Sequence, residues 1–75
     1  MSTALDIATE LEVARSRFPD FNSAHEGYAV LLEEVEELWE EVKKSPFKRD
    51  VVKMRAEAIQ VAAMAIRFIQ DVCDK

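Results

Sequence analysis

Carboxylates dominate the chemistry open to this sequence. Residues 31–44 read LLEEVEELWEEVKK and place six glutamates between Glu33 and Glu41. Like charges three or four apart on a helix repel by roughly a few tenths of a kcal/mol per pair. Such a run is either a solvated face or a seat for a cation. On a helical wheel Tyr28, Leu31, Leu32, Val35, Leu38, Trp39 and Val42 fill one apolar arc. Glu33, Glu36 and Glu40 fall away from it and read as solvated, with Glu40 and Lys44 as an i,i+4 pair. Glu34 borders the arc beside Leu38, Val30 falls between Glu34 and Glu37, and the two carboxylates, three residues apart, lie side by side, close enough to share one ion.

A second carboxylate stands in an unusual place further along. Met54, Glu57, Val61, Met64 and Phe68 follow a single helical stripe, four of them apolar, with Gln60 nearby. A lone carboxylate in an apolar stripe is costly unless it is paired, protonated or bound to metal. Lys53, Arg55 or Arg67 could supply the pairing. The alternative is that Glu57 faces Glu34 and Glu37 across a helix interface and the three surround a hard cation such as Mg²⁺, with Mn²⁺ a substitute. Six of the ten Lys and Arg lie between positions 43 and 55. Lys43 and Lys44 suit a helix C-terminus, whereas Lys48, Arg49 and Lys53 stand near a helix start, where the dipole disfavours cations. An acidic cage beside such a cluster is what a metal-bound phosphate needs, and Lys48 and Lys53 are the candidate phosphate contacts.

Other residues carry less. His25 has no second His or Cys to join it in a zinc site, and Trp39 is expected in a core or interface. Cys73 is the single cysteine, which excludes an internal disulfide and fits a reducing cytoplasm. No Gly-rich phosphate loop or Ser/His/Asp set is present. A net charge of −5 argues against a nucleic-acid polymer as partner. No apolar run approaches the ~20 residues of a membrane span, so a soluble chain is expected.

One Gly and two Pro among abundant Ala, Leu, Glu and Lys predict an all-α protein in one domain, residues 1–75. A short first helix is expected from about Ala4 to Arg17, capped by Thr3 with Asp6 and buried along Leu5, Ala8, Leu11, Ala14 and Phe18. The second follows the capping box Ser23-x-x-Glu26 and runs to Lys44. The third begins near Pro46 or near Asp50 and continues to about Cys73, antiparallel to the second. Chains of this size bury only about 60% of their unfolded surface. Because residues 58–69 are apolar nearly all round, a dimer or tetramer is expected to complete the bundle.

At these residues the sequence resembles the MazG-like all-α nucleoside triphosphate pyrophosphohydrolases, relatives of dimeric dUTPases and phosphoribosyl-ATP pyrophosphohydrolases. Their pattern is EExxE on one helix and ExxD on the next. Here EExxE is Glu33-Glu34-Val35-Glu36-Glu37, and the second motif begins at Glu57 after 19 intervening residues, with Gln60 in place of Asp. The likeness covers about residues 25–73. It implies that Glu34, Glu37 and Glu57 bind Mg²⁺, with Gln60 in the fourth ligand position, and that Glu33 assists by positioning or activating water. It also implies hydrolysis of a nucleoside triphosphate to monophosphate and pyrophosphate. Gln60 is neutral and a poorer ligand than carboxylate, so a nucleotide-binding relative without turnover is the alternative. A helical oligomerisation module is the third reading.

Overall fold

Ser2, Ser23 and Asp50 each stand in extended backbone ahead of a helix, and each turns a side-chain oxygen onto otherwise free N–H groups. The computed structural model describes residues 2–75 and contains α1 (Thr3–Arg17), α2 (Ala24–Val42) and α3 (Val51–Phe68), the last running into a widened π-helical turn, Ile69–Cys73. The protein is all-α, as its composition predicts. No helix among the described residues is long and apolar enough to cross a membrane.

The helix ends refine the expected boundaries. Ser2, not Thr3, caps α1 by accepting from Leu5 N at 3.1 Å. Thr3 is already helical, and Asp6 pairs with Arg55 at 2.8 Å instead of closing a capping box. Ser23 Oγ accepts from Glu26 N at 3.0 Å as expected, but the Glu26 carboxylate reaches one residue further back, to Asn22 N at 2.9 Å. Of the two candidate starts for α3, Asp50 is used, accepting from Val52 N and Lys53 N. The C-terminus of α2 also differs. The helix ends at Val42, so Lys44 leaves the helical register before it can meet Glu40. Lys43 pairs with Glu40 at 2.9 Å and Lys44 with Glu41 at 2.8 Å.

Both α1 and α2 pack on α3, which is the central element. Gly27 leaves room on α2 for two aromatic rings: a Cβ there would lie 2.8 Å from Phe68 Cδ2 at the end of α3 and 3.1 Å from Phe21 Cδ2. The core is thin, with Ala14, Phe21, Ala63 and Met64 buried and Leu11, Val30, Leu31, Phe68 and Val72 packed around them. Several expected core positions are outside it. Leu5 on α1 and Phe18 just past its end are exposed, as are four of the seven residues of the α2 arc, Tyr28, Leu32, Val35 and Trp39. At 100° per residue these seven positions span an arc of about 120°, wider than the single neighbour α3 covers.

The connection between α1 and α2 is fastened by charge. Asp71, buried on the π-turn, accepts from Phe21 N at 3.0 Å and pairs with Arg15 at 2.9 Å. Burial pushes its carboxyl up, but the Arg15 hydrogen bond, the Phe21 N–H and the nearby guanidinium charges together hold it below the ordinary value. Arg67, also buried, lays its guanidinium over the Phe21 ring at 4.1 Å and donates to Pro19 O at 2.9 Å.

Candidate metal centre

The antiparallel pairing of α2 and α3 brings the EExxE segment opposite Glu57. Glu34, Glu37 and Glu57 each offer a carboxylate oxygen, and these oxygens lie within 4.8 Å of one another. Glu34 and Glu57 are half-buried and Glu37 is exposed. The Glu34 carboxyl is pushed up to about 7, first by burial and then by the Glu37 carboxylate, with Glu57 and Glu33 adding to it. Glu57 is also raised, by burial and then by Glu37 and Glu41, against a smaller opposing pull from Lys53. The cluster thus concentrates negative charge whose mutual repulsion is uncompensated within it.

None of the basic residues that could have satisfied Glu57 forms an ion pair with it among the described residues. Arg55 is with Asp6, Lys53 lies 3.5 Å from Glu41, and Arg67 is in the core near Phe21. The donor set suits a hard divalent ion: three carboxylates from two helices, each helix anchored by its own cap. Oxygens on opposite sides of a Mg²⁺ lie about 4.2 Å apart at ~2.1 Å per bond. Adjacent oxygens around the ion are about 3.0 Å apart, so ligation by all three asks the side chains to draw together.

The remaining predicted residues are arranged around the triad. Glu33 is exposed and shares a cavity wall with Glu34 and the half-buried Gln60. Lys53 is near enough for its charge to act on Glu57. Lys48 is exposed in the α2–α3 connection, its backbone N–H bonded to Ser45 O at 2.8 Å. His25 is exposed at the start of α2.

Glu41 is the residue of this edge that the spacing argument passed over. It is buried, paired with Lys44 and Lys53, and held below the ordinary value by the Lys44 hydrogen bond first. It stands four residues after Glu37 and seven after Glu34, so one more turn of the same reasoning reaches it. The cavity beside the triad, about 530 Å³, was also not foreseen. It lies between α1, the 18–23 connection and the facing sides of α2 and α3, and a single-helix wheel cannot reveal it. No family model, characterised protein or solved structure matches this chain.

Proposed function

We propose that this chain is a Mg²⁺-dependent nucleoside triphosphate pyrophosphohydrolase of the MazG-like type, acting on the α–β bond to give a monophosphate and pyrophosphate. One observation carries the reading: three carboxylates from two helices converge within 4.8 Å, and none of them is ion-paired among the described residues.

Glu34, Glu37 and Glu57 hold the ion in this reading. When bound, it supplies neutralisation of phosphate charge and a water acidified for attack. Glu33, exposed beside them, orients the water and takes up its proton. Lys53 meets the phosphate chain as a point charge, and Lys48 approaches from the connection. The exposed apolar faces of α2 and α3 seat a second copy of the chain, which completes the bundle.

Incubating the protein with a panel of nucleoside triphosphates and Mg²⁺ or Mn²⁺, and measuring pyrophosphate, tests the proposal. Pyrophosphate should appear with the monophosphate. Glu34→Gln and Glu57→Gln should each lower the rate by more than about 100-fold, since losing even a residue that only hydrogen-bonds a metal ligand costs about 10–100-fold. Wild-type rates in both variants would refute the site. The second reading, a nucleotide-binding module without turnover, is favoured by the neutral Gln60. It predicts calorimetric binding of a nucleoside triphosphate with Mg²⁺ and no pyrophosphate.

A further inference from the structure

The cavity next to the triad contains groups that the proposed hydrolysis leaves unused. Its volume, about 530 Å³, is in the range of small-molecule sites. Val13, Val30 and Met64 supply apolar wall, and Phe18, 59% exposed, presents an aromatic face not packed into the core. Glu34 belongs to both the cavity and the triad, so the two spaces are continuous. A nucleotide whose phosphates sit at the triad therefore has its nucleoside end within reach of this cavity.

The polar atoms on the wall are unequally divided. Glu10 from α1 and Gln60 from α3 are half-buried, and no intramolecular hydrogen bond or ion pair engages either side chain among the described residues. Glu33 is also free to accept. Arg67 lines the cavity but spends its guanidinium on Pro19 O and Met64 Sδ, and its buried Nε has no partner and no access. Arg17 and the Gln60 amide are the free donors. Carboxylates only accept hydrogen bonds. The half-buried, unengaged acceptor is Glu10, whereas Arg17 is exposed, so a ligand edge that presents an amino group is matched better at this end of the wall than one that presents a carbonyl.

Resting on the hydrolase reading, we propose that the cavity receives the nucleobase and selects bases with an exocyclic amino group (adenine, guanine, cytosine) over the dicarbonyl bases thymine and uracil. Glu10 accepts from the amino group, and Gln60 meets the adjacent ring position with its amide. This role occupies Gln60 on the cavity side and leaves the ion to the three carboxylates. Phe18 stacks on the base and contributes to all bases alike.

Binding of free nucleosides tests the idea apart from the metal, because they carry no phosphate. Deoxyadenosine, deoxyguanosine, deoxycytidine, thymidine and deoxyuridine are titrated into the metal-free full chain and followed by amide chemical shifts. At least one amino-bearing nucleoside should shift Glu10, Phe18 and Gln60 and bind about tenfold more tightly than thymidine, the effect of one hydrogen bond to a charged group. Glu10→Gln should compress that ratio, and Phe18→Ala should weaken every nucleoside without changing it, with circular dichroism confirming that both variants fold. Equal or tighter binding of thymidine, or shifts confined to residues outside the cavity, would overturn the proposal. Pyrophosphate release from all triphosphates at equal rates, without cavity shifts, would overturn it while leaving the hydrolase intact. Selective nucleoside binding without any pyrophosphate release supports the base site and removes the hydrolase.

Discussion

At Glu34 a half-buried position and three carboxylate neighbours push the same way, and its proton reports on both. Its ordinary value is 4.5 and in the fold it is about 7. Between these the folded chain keeps a proton that the unfolded chain has released. The stability contributed by this group is therefore complete below about pH 4.5 and lost as pH rises through about 7. Without metal, the melting temperature should fall between about pH 5.5 and about pH 8, and Glu34→Gln should remove most of that slope. After allowance for solvent screening the gain at the higher pH is about 1 kcal/mol, or several degrees. Thermal melts of both proteins at the two pH values check this. Mg²⁺ should raise the melting temperature more at the higher pH, where the proton no longer competes. Asp71 acts in the opposite direction: its lowered value contributes stability above the ordinary Asp range, lost as pH falls through the folded value. Asp71→Ala strips the partner from Phe21 N and the buried partner from Arg15, which keeps Asp20 and Gln70, and should cost about 3 kcal/mol in urea denaturation. The triad was legible in the sequence because three-residue spacing and an interrupted apolar stripe are local patterns. Asp71, Arg15 and Arg67 were not, because their partners are some 50 residues away in the chain, and only tertiary packing joins them.

At the scale of the helices, local chemistry wrote most of the boundaries. Ser23 and Asp50 start α2 and α3 where capping rules place them, and Pro46 proved to be a turn residue because Asp50 Oδ1, further on, accepts from two backbone N–H groups. Asp50→Ala should destabilise by about 1 kcal/mol, the usual loss for a cap, measured by denaturant midpoint. The room left for two aromatic rings was invisible to periodicity, since Gly27 looks like a weak helix residue and is in fact a contact surface. Alanine gains helix propensity there but must displace Phe68 and Phe21, so Gly27→Ala should be net destabilising by about 1–2 kcal/mol. A calorimetric melt that rises instead of falling would contradict this packing.

For the whole molecule, the radius of gyration of 13.2 Å exceeds the ~11.4 Å of a compact chain this long. The principal extents, 44 × 27 × 19 Å, describe a slab that leaves large apolar side chains outside. Tyr28, Leu32, Val35 and Trp39 repeat at 4-3-4 spacing on one exposed face of α2, the seam of a helix-to-helix contact. If a second copy covers that face, Trp39→Glu should shift the mass measured by light scattering to that of one chain. An unchanged mass would place the contact elsewhere. The sequence pointed to unsatisfied apolar surface but misjudged which residues bear it. The arc on α2 was read as one face, whereas α3 covers only part of it.

The wide turn at Ile69–Cys73 has a practical side. Through Asp71 it grips the segment carrying Phe18 and Phe21, and Lys75 beyond it touches Asp20. Those aromatics form part of the cavity wall. An affinity handle or fluorescent reporter fused after Lys75 would therefore pull on a keystone, while one placed ahead of Ser2 would leave that arch standing.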